Sequence, residues 1–386
     1  MMRQFLFKTL QKCAAFLRST EWLKRCFYLP LKNVMRRRFY SVEYILFHAY
    51  ANKNSKGCVP PESDYKSAFP WTIGVIRDVF LNHEAYIVAC RELKVAYKTI
   101  DLYASDWISQ IERSDCHAFV AWPSECIQEW KTLYDERLRL LTADMGHTLY
   151  PPYDALWLYG SKQRQRDWLD LHGFPHPKTS VFYNLEEALS FFSEAALPVV
   201  AKVDIGASAH GVSIIRSNKQ GDRLIRQAFG RGIKGSCSDP QTRQWRHILL
   251  QEYVPDVREW RIIRIGESFF GYEKGKAGEF HSGSGLAGWF DPPRAALDLV
   301  YRITEEGGFR SMAMDVFEKP DGTLLVNELQ SVFGAFDTAQ MYIDGVPGRY
   351  RRVDGNYVFE EGRYCSNTCC NLRIADLLEM LKTKRS

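Results

Sequence analysis

The sequence predicts an α/β unit followed by a larger α+β unit. The first follows from strand–helix alternation over residues 72–141, which implies a small parallel sheet with right-handed crossovers. The second follows from paired apolar strands joined by tight turns, most clearly over residues 311–330. Size permits both, since 386 residues hold two or three domains and a 46% hydrophobic fraction supplies their cores. No apolar run approaches the ~20 residues of a membrane-spanning helix.

Charge is unevenly placed. The net charge is +5, yet the first 40 residues carry ten Lys and Arg against Glu21 alone. The rest of the chain is therefore net acidic, which argues against a nucleic-acid groove and predicts no nucleic-acid partner. Within this basic segment Phe5, Leu6, Leu10, Cys13, Phe16 and Leu17 recur at helical spacing. Residues 1–65 are expected to be a basic amphipathic segment plus linker. Its two readings are peripheral contact of residues 1–40 with an anionic inner membrane face and a helix packed on the protein body. No signal-peptide cleavage site follows, so the expected location is cytoplasmic. The ten cysteines form no CxxC pair, which disfavours zinc and suits reduced thiols.

The elements follow in order. Strands are expected over 72–78, 98–103 and 117–122, with helices over 83–97, 106–113 and 124–141. These form a preceding α/β domain at 66–155. No GxGxxG follows its first strand, so dinucleotide binding is not predicted. A helix from Ser161 is closed by Gly173, with Pro175 and Pro177 beyond. A second helix covers 185–194. The strand at 198–203 carries Lys202 among apolar residues, and Gly206, Ala207, Ser208, Ala209, His210 and Gly211 follow. Small residues between two strands let backbone N–H groups close over phosphate oxygens, and a lysine beside them would neutralise those oxygens. The bland alternatives are a flexible turn and a snorkelling lysine. The strand at 248–254 ends in Gln251-Glu252-Tyr253, and a strand end of this kind can offer backbone groups to an adenine edge. The next strand puts Glu259 and Arg261 on one face. Residues 275–288 are too glycine-rich for regular structure and suggest an active-site loop.

Residues 311–330 bring the chemistry together. Asp315 lies in an apolar strand, Pro320-Asp321-Gly322 makes the turn, and the return strand ends on Asn327-Glu328-Leu329-Gln330. Such a hairpin lays Asp315 near Glu328, with Gln330 on the same face as Glu328. Two carboxylates and an amide oxygen form a hard-oxygen set suited to Mg²⁺, or Mn²⁺, carrying a nucleotide's phosphates. An ordinary hairpin with exposed acids is the alternative.

In this order the pieces resemble the ATP-grasp superfamily, and most closely its ribosomal-protein glutamate ligase type. The resemblance covers residues 161–346 and implies an ATP-grasp domain at 156–346, two α+β subdomains clasping ATP. It further implies that Lys162 and Lys202 contact the phosphates, with Gly206, Ser208 and Gly211 closing over them. Glu252, Tyr253 and Val254 would flank adenine, Glu259 would reach the ribose, and Asp315, Glu328 and Gln330 would hold the metal. Arg261, with Lys202, would steady the charge of an acyl phosphate.

Three departures stand out. The family usually ends its metal motif in Asn where this chain has Gln330. Its phosphate loop often reads Arg-Ser-Asn, against His281-Ser282-Gly283 here. Residues 347–386 match nothing in the family and are expected to be a C-terminal extension. The implied function is an ADP-forming carboxylate–amine ligase acting on small-molecule substrates, adding an amino acid to a peptide, protein or acidic sugar. A kinase on the same fold would phosphorylate a hydroxyl without needing an amine. A non-catalytic nucleotide-binding regulator would not need Lys202, Arg261, Asp315 and Glu328 together.

Overall fold

A computed structural model describes residues 60–78, 81–124, 128–206, 211–234, 243–276, 281, 286–333 and 340–384. The basic N-terminal segment, with its expected membrane contact, and Ser208 lie outside these residues.

The first sheet is parallel, in the order β2-β1-β3-β4. Its strands are β1 (Thr72–Ile76), β2 (Ala96–Ile100), β3 (Ala118–Val120) and β4 (Leu149–Tyr150), and its helices α1 (Glu84–Glu92), α2 (Trp107–Glu112) and α3 (Gln128–Arg139). Ile73, Val75, Tyr97 and Phe119 are fully buried in its core. Gly74 is required there, because a Cβ would lie 2.3 Å from the Phe119 ring. Two expected helix ends shift by more than one residue. Helix α1 stops at Glu92 rather than near Tyr97, since Lys94 takes a positive φ of 56° and Val95 N–H donates back to the Cys90 carbonyl. Helix α3 stops at Arg139 and continues only as a wider π turn, Leu140–Asp144.

After α4 (Tyr153–Leu158) and α5 (Lys162–Leu171) comes an antiparallel sheet ordered β5-β10-β6-β7. It comprises β5 (Thr179–Phe182), β6 (Val199–Lys202), β7 (Val212–Ile215) and β10 (Ile248–Glu252). Helices α6 (Leu185–Glu194) and α7 (Asn218–Gly230) cover it through Ala188, Phe192, Ile225 and Ala228. The short strands β8 (Ile233–Lys234) and β9 (Arg243–Gln244) pair with each other.

The largest sheet has eight strands. Its path is β15-β14-β11-β12-β17-β16, with β13 on β12 and β18 on β17. These are β11 (Arg258–Ile265), β12 (Ser268–Lys274), β13 (Ala287–Gly288), β14 (Ser311–Glu318), β15 (Leu324–Gln330), β16 (Met341–Ile343), β17 (Val346–Val353) and β18 (Asn356–Glu361). Alternation along β11 and β14 buries Trp260, Ile262, Met312, Met314 and Val316 together with α8 (Arg294–Glu306). Glu259, Arg261 and Asp315 alternate to the other face.

Residues 347–386 are not an appendage. The expected boundary at 346/347 falls inside β17, which pairs with β12 at Phe269↔Tyr350. Beyond β18 the chain returns to the first sheet. Helix α9 (Cys370–Thr383) buries Ile374, Leu377, Leu378 and Leu381 in that domain's core. The apolar spacing of these four residues is that of one helix face.

Candidate functional site

The site is a row across four strands. In register, Glu328 on β15 faces Asp315 on β14, Asp315 faces Arg261 on β11, and Arg261 faces Tyr272 on β12. Cross-strand partners share one face of a sheet, so the four side chains form a line. The β14–β15 hairpin is held by its turn. Lys319 N–H donates to the Thr323 carbonyl at 2.9 Å, and Gly322 takes a φ of 82° that favours glycine.

Asp315 is 1% exposed. The Arg261 guanidinium grips it as a fork, Nε to Oδ1 at 2.7 Å and Nη2 to Oδ2 at 2.9 Å. Lys274 Nζ donates to Oδ2 at 2.8 Å and also donates to Glu259. Two cations thus meet two carboxylates in a buried, electrically balanced group. Burial alone would push the Asp315 carboxyl up; Arg261 and Lys274 instead hold it well below the usual carboxylate range. Burial raises Glu259, although Lys274 opposes this. Burial works against the Arg261 and Lys274 charges, but Asp315 beside both keeps each above its ordinary range.

Two more lysines approach from the other sheet and from α5. Ser161 caps α5 by accepting from Arg164 N–H, and its hydroxyl donates to Asp204 at 2.9 Å. Lys162 follows, with Nζ 2.5 Å from the Gly206 carbonyl and 4.0 Å from Glu328 Oε1. Lys202, at the end of β6, donates to Asn327 Oδ1 at 2.9 Å. Burial, and then the Lys162 charge, lower the Lys202 ammonium to about 8. A register shift between Asp315 and Val316 leaves Asn327 as the extra residue on β15, so it escapes strict alternation.

The other expected residues are placed as follows. Gln330 lies opposite Ala313, two residues beyond Glu328. Gly211 has φ 76°, and a Cβ there would lie 2.3 Å from Val203; Gly206 and Gly211 bracket the segment that contains Ser208. Glu252 N–H donates to the Lys178 carbonyl, and its carboxylate accepts from Lys178 N–H, both at 2.9 Å. That double clip fixes the chain entering Tyr253 and Val254, which are half-buried. His281 Nδ1 donates to the Lys274 carbonyl at 2.8 Å. Glu259 is 2% exposed and its carboxylate is engaged by Lys274, within the buried group around Asp315.

Four site residues were not identified from the sequence: Lys274, Asn327, Tyr272 and Gln165. Gln165 fixes β15 by accepting from Leu329 N–H at 3.0 Å and donating to the Leu329 carbonyl at 2.8 Å. Lys274 and Tyr272 lie two apart on a strand beside Glu259 and Arg261, a signal readable only once the register Glu259↔Lys274 is known. Among the described residues there is no group of three His, Cys, Asp or Glu able to hold a metal. The acids and amide Asp315, Glu328 and Gln330 are nevertheless an all-oxygen set that fits Mg²⁺ when phosphate oxygens complete the shell. Asp315 Oδ1 accepts one of these bonds and Oδ2 accepts two, so Oδ1 keeps a lone pair that could face a metal.

No protein-family model matches the chain. It is 28% identical over 174 residues to the α-aminoadipate–LysW ligase LysX of Sulfurisphaera tokodaii, covering 42% of this chain and 56% of that protein. It is 26% identical over 216 residues to the glutamate–LysW ligase ArgX of the same organism, covering 53% and 71%. The match therefore spans little more than half the length of LysX. Among solved structures, D-alanine–D-alanine ligase from Bacillus anthracis superposes with a TM-score of 0.51 at 13% identity, covering 81% of this chain and 99% of that one. The two α+β sheets with the site between them carry the ATP-grasp fold, and the chain is similar in sequence to ligases.

Proposed function

We propose that the protein is an ATP-dependent carboxylate–amine ligase that forms ADP and phosphate. The observation that carries this reading is the line Glu328–Asp315–Arg261 with Lys162 and Lys202 converging beside it. The names of LysX and ArgX describe ligases that join an amino acid to a partner, which supports the same reaction class here.

In the reaction, a substrate carboxylate oxygen attacks the γ-phosphorus and the bond to ADP breaks. An amine then attacks the acyl carbon, and inorganic phosphate leaves. Lys162 and Lys202 bind and neutralise phosphate oxygens. Arg261, fixed in orientation by Asp315, presents its guanidinium to the charge that develops on the acyl phosphate. Glu328 and Gln330, with Asp315 behind them, would hold Mg²⁺, which supplies charge neutralisation to the phosphoryl group. Gly206 and Gly211 let the backbone approach the phosphates, and the chain at Glu252, Tyr253 and Val254 receives adenine.

The test is hydroxylamine trapping. ATP, Mg²⁺, a panel of carboxylates and hydroxylamine should give a hydroxamate and an equal amount of ADP. ADP with a phosphorylated hydroxyl and no hydroxamate would favour a kinase. Nucleotide binding with no ADP from any substrate would leave a regulator.

A further inference from the structure

The charged row has an aromatic end. Tyr272 lies beside Arg261 in register, and burial raises its phenol above the ordinary range although Arg261 opposes this. The Trp289 ring sits 5.5 Å from Tyr272 at 52°, and Tyr342 on β16 sits 5.0 Å from Trp289 at 69°. All three are half-buried, so their rings are packed together yet reachable. Trp289 directly follows β13, which pairs with β12 at Lys274↔Ala287. The corner is therefore tied to the strand that carries Lys274 and Tyr272.

Crossing the sheet from β15 to β16, the side chains run from carboxylates through arginine to three rings. A molecule whose carboxylate meets Arg261 on the side away from Glu328 lays its body on those rings. We propose that Tyr272, Trp289 and Tyr342 select the carboxylate substrate, and that its body is uncharged and ring-bearing. This rests on the ligase reading above.

Three physical points choose this class. Ring faces bind flat C–H or π surfaces through dispersion and edge-to-face contact. A second carboxylate would lose hydration where it lay against those ring faces. A quaternary ammonium group suits an aromatic corner in isolation, but the Arg261 charge stands at its mouth and repels a cation. An aryl carboxylate and a hexuronate share the required chemistry, a carboxylate beside a flat face.

The experiment is saturation-transfer NMR on full-length protein with Mg²⁺ and a non-hydrolysable ATP analogue. The probes are 3-phenylpropionate, glucuronate, glutarate and γ-butyrobetaine. Ring protons of the first or second probe should receive saturation, and which one does identifies the ring. Trp289→Ala and the still apolar Trp289→Leu should each weaken that probe by about tenfold, with ATP-analogue affinity unchanged. Preference for glutarate or the betaine overturns the proposal, as does unaltered ring binding in a folded Trp289→Leu. Absence of any ring binding to the wild type also overturns it. Failure of the ligase reading shows separately, as absence of hydroxamate from every carboxylate.

Discussion

Lys202 on β6 donates to Asn327 on β15 at 2.9 Å, joining the smaller antiparallel sheet to the eight-stranded one. The ammonium that the proposed function assigns to ATP phosphate is thus held by an amide on the opposing sheet. Lys202→Met keeps bulk and removes the charge. ATP affinity should fall by ~10-fold or more, a loss of ~1.4 kcal/mol, measured by titration calorimetry. Unchanged affinity in a folded variant removes Lys202 from the site.

The same lysine gives a pH dependence. Its ammonium is lowered to about 8 in the free protein, and a bound phosphate raises it again. Below pH 8 the lysine is already charged, so ATP affinity should be flat with respect to this group. Above pH 8 binding must take up a proton, and affinity should fall by up to ~10-fold per pH unit. Titrations between pH 7 and 10 check this, and Lys202→Met should flatten the profile.

Asp315 is not an exposed acid of a hairpin but the centre of a buried ionic group. Asp315→Asn should leave Arg261 and Lys274 under-compensated and destabilise the fold by ~3–5 kcal/mol, the cost of breaking a buried pair. Adding Lys274→Met should recover part of the loss. Urea unfolding of the single and double variants measures both, and an additive double variant would refute the coupling.

Glu328 differs from Asp315. Its side chain is 16% exposed and its ion-pair partner Lys162 stands off at 4.0 Å. Glu328→Gln should therefore fold with near wild-type stability and lose Mg²⁺-dependent ADP release. Gln330→Asn should retain activity, because the amide oxygen is kept, whereas Gln330→Leu should not. Full turnover in Glu328→Gln would break the metal assignment.

The C-terminal helix supplies a stability test remote from the site. Leu377 is fully buried against the first domain. Leu377→Ala should cost ~2–5 kcal/mol through cavity formation, read from thermal or urea unfolding, with ATP affinity at 10 °C unaltered.

Much of this architecture was legible in the residues themselves. Alternation and turn chemistry are local properties, so the β14–β15 hairpin, α6 over 185–194 and the strand carrying Lys202 could be read directly. So could the placement of Asp315 opposite Glu328, because a short turn leaves few registers. Other features depend on partners distant in the chain. Lys274 and Glu259 are 15 residues apart on strands whose register only the sheet defines. That register makes Glu259 a partner of Lys274. Asn327 meets Lys202 because a bulge shifts one residue out of alternation. Helix α9 shows its apolar face in sequence, but what the face covers depends on the chain returning to the first sheet. The sequence by itself determined the periodicities, the turns and the order of the chemical groups, since each is set by neighbouring residues. The tertiary structure decided which charges neutralise one another and which stay available, since that depends on register, burial and the approach of one sheet to another.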